Sequence, residues 1–204
     1  MYFDDKARTW DSDPIKRERA LAVAAAIRQR VPLSRGWHAL EYGCGTGLLS
    51  FALHAELGQI TLADSSPGML AVLAEKITAA GLIHLHPLAL DLLTDPLPVE
   101  RYDLIYTLMT LHHVADVDRL LRAFHDLLQP GGWLAIADLE QEDGSFHGPG
   151  FTGHHGFDRA TLRAQLIDAG FDGVNVSTCY VMKKATDAGT REYPLFLAVA
   201  ARTA

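Results

Sequence analysis

The chain is short of cysteine. Cys44 and Cys179 are the only two in 204 residues, too few for a disulfide framework and at no spacing that holds a metal. A reducing cytoplasm is the expected setting. No apolar run approaches the roughly 18–20 residues that cross a bilayer, and the first residues are polar and charged where a secretory leader would be apolar. No membrane association is therefore expected. Lysine and arginine form no block in the body of the chain, and the net charge is −7, which argues against nucleic acid as a partner. What is abundant is apolar side chain, 49% of the residues. That is enough for one well-buried domain over residues 1–204 and little for a second.

One stretch organises the rest. Ala39-Leu40-Glu41-Tyr42-Gly43-Cys44-Gly45-Thr46-Gly47 reads as an apolar strand ending in an acid, then a turn with glycine at alternate positions, then a helix start. Glycine lacks Cβ, so the backbone can bend there and a ligand can lie against the peptide planes of Gly43, Cys44 and Gly45. The helix start aims its free N–H groups at the same place. A dinucleotide turn needs its third glycine three residues after the second. Here that position is Leu48, and Gly47 comes one residue too early.

The segments that follow repeat a strand–helix unit. Gln59–Asp64 is a second buried-type strand ending in an acid, and Asp64 falls 17 residues after Gly47. At the edge of the neighbouring strand its carboxylate can accept two hydrogen bonds from a ribose diol. Ser65-Ser66-Pro67 supplies hydroxyl caps and a proline for the next helix. Met69 on its first turn can stack on a base, although a methionine there is also ordinary core. The third strand runs to Asp91. Acids at the ends of three successive strands, Glu41, Asp64 and Asp91, are hard to explain as solvated loop carboxylates.

Arg101–Thr107 is the fourth strand, and Leu111-His112-His113 follows it. A helix from Asp116 to Leu128, a Gln129-Pro130-Gly131-Gly132 turn and a fifth strand, Trp133–Asp138, come next. Residues 140–156 are polar and glycine-rich, carry His147, His154 and His155, and are long enough to cap a pocket. After a helix starting at Phe157-Asp158, Val174–Met182 and Pro194–Ala201 read as a closing hairpin with one antiparallel member, and Lys183–Glu192 as its loop. At the front, Asp13-Pro14 opens a helix reaching Val31-Pro32, preceded by Phe3 and Trp10.

The G-x-G-x-G turn behind Glu41, the acids Asp64 and Asp91, the Tyr102-Asp103-Leu104-Ile105 strand and the Leu-x-Pro-Gly-Gly-x-Leu turn together resemble the class I S-adenosylmethionine-dependent methyltransferases. The likeness is to the small-molecule branch that includes quinone-biosynthesis enzymes. It implies an α/β fold: a doubly wound, Rossmann-like sheet of seven strands, mostly parallel with an antiparallel C-terminal strand. It implies S-adenosylmethionine as cofactor, with Asp91 and the Leu92 N–H reading the adenine and the Thr107 strand end leading to the transferred methyl. The Phe3…Trp10-Asp11 pattern resembles the family's N-terminal lid over the cofactor, so residues 1–32 are either that lid or simply a helix laid on the sheet. The chain lacks the Asn/Asp-Pro-Pro-Tyr/Phe device of nucleobase and glutamine amino-methylating enzymes and the Pro-Cys pair of cytosine C5 enzymes. Both absences favour a small-molecule acceptor.

An acceptor that must lose a proton needs a base, for which His112, His113, His154 and His155 are candidates. Paired histidines also cap helices or pack. Two adjacent ones with Asp138 or Glu140 could ligate a metal, but adjacent residues diverge on a strand or helix, so no metal site is expected. Two rivals stay open. A non-catalytic cofactor-binding protein would keep the same motifs, and a nicotinamide oxidoreductase could use Tyr180 and Lys184, four apart. The acceptor and the oligomeric state have no readable code.

Overall fold

The computed structural model describes residues 2–186 and 189–203. Its strands are β1 (His38–Tyr42), β2 (Gln59–Asp64), β3 (Leu85–Ala89), β4 (Tyr102–Leu108), β5 (Leu128–Leu139), β6 (Phe171–Thr186) and β7 (Gly189–Arg202). They form one sheet in the order β3-β2-β1-β4-β5-β7-β6. β1 to β5 pair in parallel, and β7 runs antiparallel to both β5 and β6. The order reverses beside β1, between β2 and β4, where open α/β sheets place their ligands.

Helices cover both faces. α2 (Pro14–Arg30), α3 (Leu48–Leu53) and α4 (Pro67–Ala80) pack on one face through Val23, Ile27, Leu49 and Leu73, against Leu62, Leu104 and Tyr106 of the sheet. α5 (Val117–Leu127) and α6 (Arg159–Asp168) cover the other through Leu120, Phe124, Leu162 and Leu166, against Ile105, Ile136 and Phe196. Each fully buried leucine contributes roughly 1.5–3 kcal/mol by leaving water.

Local chemistry sets the helix starts. The Asp13 carboxylate accepts from Ile15 N at 2.9 Å before Pro14, and Ser66 Oγ accepts from Met69 N at 3.2 Å before Pro67. Asp116 and Asp158 cap α5 and α6 in the same way, each through a backbone N–H three residues on. Gly81 ends α4 in the left-handed conformation. α1 (Tyr2–Lys6) and a 3-10 turn over Ala7–Ser12 precede α2.

Two expectations need correction. The Pro130-Gly131-Gly132 segment is an excursion inside β5: Tyr102 pairs with Leu128 and Leu104 with Trp133, so the residues between bulge out and Gly131 takes φ 81°. The segment read as the final loop is mostly strand. Lys183 pairs with Glu192, Lys184 with Arg191 and Ala185 with Thr190, which carries the hairpin well past the sheet. Such a two-stranded ribbon has no buried face, so its residues lack the apolar alternation that marks a strand. Asp187 and Ala188, within that expected loop, lie outside the described residues.

Candidate functional site

The glycine turn leaves β1 with Gly43, Gly45 and Gly47 all at positive φ, between 53° and 80°. That conformation is what makes the alternate glycines necessary. Gly43 has a second constraint: a Cβ there would lie 2.3 Å from the Thr110 side chain. The turn is tied to β2 by Cys44 N donating to Ala63 O at 3.0 Å.

The three strand-end acids have different surroundings. Asp64 receives Gly45 N at 2.7 Å and Ser66 N at 2.8 Å, bracing the glycine turn against the start of α4. Burial pushes its carboxyl above the ordinary range, against those N–H groups. Asp91 Oδ1 receives Leu93 N at 2.9 Å and Tyr42 Oη at 3.4 Å, and Leu92 N donates to Tyr42 Oη at 3.3 Å. A base edge read by Leu92 must therefore displace the Tyr42 hydroxyl. Burial, with Asp91 close by, pushes that hydroxyl up to about 12.

Glu41 also serves the fold. It is buried, and its Oε2 accepts from Ser50 N at 3.1 Å and from Ser50 Oγ, which also meets Tyr106 Oη at 2.6 Å. Its Oε2 anchors α3. Burial pushes its pKa up to about 8, with the Ser50 hydrogen bonds opposing. Cys44 and Thr107 are likewise buried. The Cys44 N–H is already bonded to Ala63, and burial pushes its thiol up, so a ligand meets neither donor nor nucleophile there.

The N-terminal segment lies over the turn. Asp4 accepts from Ser66 Oγ at 2.7 Å and Gly68 N at 2.8 Å. Asp11 accepts from Thr46 Oγ1 and from Lys76 Nζ, both at 2.5 Å. Between these ties Trp10 and Met69 converge on Gly45: a Cβ there would meet Trp10 Nε1 at 4.0 Å and Met69 Sδ at 3.9 Å. Lys16 Nζ sits 3.7 Å above the Trp10 ring. Ser65 is exposed beside Asp64. An aromatic lid, a thioether floor and flanking carboxylates fit a nucleoside carrying a positive charge.

The second half of the site starts at the end of β4. Met109 takes φ 57°, a left-handed conformation that costs a non-glycine residue on the order of 1 kcal/mol or more. It turns the chain into a 3-10 turn over Leu111–His113. His112 is 1% exposed, its Nδ1 lies 2.6 Å from Asp138 Oδ1, and its backbone N donates to Asp138 Oδ2 at 3.2 Å. Asp138, fully buried on β5, also receives Leu139 N at 2.7 Å. The carboxylate fixes Nδ1 as the protonated nitrogen. Among the described residues, Nε2 is buried without a hydrogen-bond partner.

His113 and His147 stand against this ring, with centroids 4.1 and 4.9 Å from that of His112. Burial first, then the neighbouring imidazoles, pull the pKa of each down to about 4. Phe151 stacks on His147 at 3.8 Å, and Phe3 packs edge-on against His113 at 5.3 Å, which joins this cluster to the N-terminal segment. Two clefts, of about 440 and 350 Å³, open beside His154 on the 140–156 side.

The other expected histidines have structural partners. His154 N donates to His112 O at 2.8 Å and its Nε2 lies 2.9 Å from Val114 O, so it braces the 3-10 turn. His155 is exposed, with Nδ1 3.5 Å from Glu142. Tyr180 and Lys184 both lie on β6, about 13 Å apart along a strand, and Lys184 Nζ donates to Phe146 O at 2.6 Å. They do not form a catalytic pair. Sequence reasoning set Asp138 beside paired histidines only as part of a metal site it did not expect, and it missed the burial of Arg19. Arg19 lies four residues before Val23 on the packed face of α2, a spacing that could have revealed it. Burial pulls its pKa down, while Asp138 nearby opposes.

Residues 40–134 match a family model described as a methyltransferase domain. Over 113 residues, 53% of the chain, it is 32% identical to a ubiquinone/menaquinone biosynthesis C-methyltransferase of Pseudoalteromonas translucida. Over 68% of the chain it is 29% identical to a ubiquinone biosynthesis O-methyltransferase of Coxiella burnetii. The chain spans 45% and 60% of those two proteins. The N-methyltransferase NodS of Bradyrhizobium japonicum, solved with S-adenosylhomocysteine, shares the fold at a TM-score of 0.70 and 20% identity, covering 94% of this chain and 89% of that one. The glycine turn and the strand-end acids thus lie within a stretch similar to a methyltransferase domain, in a chain that shares the fold of solved methyltransferases.

Proposed function

We propose that the chain moves the methyl group of S-adenosylmethionine to a small-molecule acceptor in the cytoplasm. Residues 1–32 would serve as the lid over the cofactor and residues 140–156 as the cap over the acceptor, within a single domain. The observation that carries this reading is a shared wall. The Thr110 side chain packs on Gly43 and donates to Gly43 O at 3.3 Å, two residues before His112. The glycine turn and the histidine cluster are thus two halves of one site.

When bound, S-adenosylmethionine supplies a methyl already activated on a sulfonium. The protein has only to bind, align and dry the reactants. Asp64 and Ser65 would hold the ribose end, Asp91 and Leu92 the base edge, Met69 and Trp10 the flat faces, and the turn from Gly43 to Gly45 would lie against the cofactor. His112, held by Asp138 through Nδ1, would be the imidazole nearest the transferred methyl. Phe3 and Phe151 pack edge-on against His113. The free thiols of Cys44 and Cys179 fit a reducing compartment. The relatives' roles in quinone biosynthesis support a small organic acceptor.

The test is formation of S-adenosylhomocysteine with a panel of phenols, quinols, thiols and amines. Turnover above the acceptor-free background is expected for at least one, and His112→Gln should lower it by about 100-fold or more. Cofactor binding with no turnover across the panel would favour the non-catalytic alternative.

A further inference from the structure

The rings of His112, His113 and His147 converge beside the 3-10 turn that follows β4. The ligand-capable atoms of His112, His113 and His147 all lie within 4.8 Å of one another. Their ring centroids are 4.1, 4.9 and 5.6 Å apart. The expectation that adjacent histidines diverge fails because the 3-10 turn over Leu111–His113 brings both rings to one side. From this geometry and the orphaned Nε2 we propose that His112, His113 and His147 form a binding site for a divalent transition-metal ion.

The donor chemistry is specific. His112 Nδ1 is committed to a buried carboxylate, which leaves Nε2 as the nitrogen available to the cluster, buried and unpartnered. A carboxylate behind a ligating imidazole is the usual arrangement in metal sites, where it sets the tautomer and raises the basicity of the ligand. Three neutral imidazoles without a directly bound carboxylate suit zinc, cobalt, nickel or copper rather than magnesium or calcium. Nitrogen ligands of a tetrahedral ion lie roughly 3.4 Å apart, at about 2.1 Å from the metal, so the cluster must close slightly. His147 sits between Gly144 and Gly148, both at positive φ, in a segment that can supply that movement.

Three protein ligands leave one position open, as in catalytic rather than structural sites. Resting on the function proposed above, that position would take a heteroatom of the acceptor, most plainly a thiol or hydroxyl, whose proton the ion makes easier to lose. The site itself does not depend on that reading.

The experiment uses the full chain, stripped with a chelator and titrated with Co²⁺ while its visible d–d absorption is followed, with Zn²⁺ as competitor. One equivalent of Co²⁺ should produce the intense bands of a low-coordinate ion, and Zn²⁺ should abolish them. His147→Ala, a cap substitution remote from the core, and His113→Gln should each weaken binding by about tenfold or more. Asp138→Asn, which acts through His112, should weaken it by about 10–100-fold. Circular dichroism confirms that each variant is folded. Absence of Co²⁺ bands in folded wild type, or bands unchanged in His147→Ala and His113→Gln, would overturn the site and leave His112 as a free base. S-adenosylmethionine binding is measured on the same samples, so failure of the metal site and failure of the methyltransferase reading are read separately.

Discussion

The two halves of the site treat their polar groups in opposite ways. On the glycine side nearly every acid is spent on building: Glu41 on Ser50, Asp64 on Gly45 and Ser66, Asp91 on Leu93 and Tyr42. On the histidine side Asp138 is also spent, but only to leave one nitrogen of His112 unpartnered beside two further imidazoles. A cradle must hold its shape before a ligand arrives, so its polar atoms are satisfied internally. A reacting centre must keep an unmade bond, at the cost of about 1–3 kcal/mol for a buried unsatisfied group.

The largest expected effect falls on the cradle. Gly43→Val places a branched side chain at φ 68° and inside the Thr110 contact. The conformational and overpacking costs together are about 2–4 kcal/mol, read as a shift in urea midpoint at unchanged m-value. Next comes Asp138→Asn, which leaves the fold's apolar core intact but can no longer fix the His112 tautomer. A loss of turnover of about 100-fold is expected, with cofactor affinity within about threefold of wild type. Equal losses in both would erase the distinction between the halves.

Acid should act on the two halves with opposite sign. Glu41 is raised from 4.5 to about 8, so its contribution to stability is complete below pH 4.5 and is lost as pH rises through 8. His113 and His147 are depressed from 6.5 to about 4, so their contribution is complete above pH 6.5 and is lost as pH falls through 4. Urea unfolding of the metal-free protein from pH 4 to 8 should therefore give a Glu41→Gln variant that loses the decline toward alkaline pH, at most about 1.4 kcal/mol per pH unit. His113→Gln should instead lose part of the decline toward acid. A shared sign would contradict the burial argument.

The smallest effect belongs to the ties of the N-terminal segment. The Lys76–Asp11 pair is partly exposed, at 26% and 32%. Asp11→Asn should cost about 0.2–1 kcal/mol of stability, less in high salt, and show first as faster proteolysis ahead of Pro14.

What the sequence could reveal divides along the same line. The turn was legible because Gly43, Gly45 and Gly47 need positive φ and because acids recur in phase with the strands. Those are local constraints. The use of each acid was not legible: whether Glu41 faces a ligand or Ser50 depends on the approach of α3 to β1. The Asp138–His112 contact depends on β4 and β5 being neighbours, which pairs residues 26 positions apart. The β6–β7 ribbon hid because its outer rungs, such as Lys183 with Glu192, carry no apolar face.

The central claim is that the glycine turn with Asp64 and Asp91 is a nucleoside cradle for S-adenosylmethionine. Calorimetric titration of that cofactor into wild type and Asp64→Asn, with NADH as control, tests it most directly. Micromolar binding that weakens about tenfold or more in the variant, a loss above about 1.4 kcal/mol, with no heat from NADH, is the predicted result. No binding to folded wild type, or binding of NADH in its place, would contradict it.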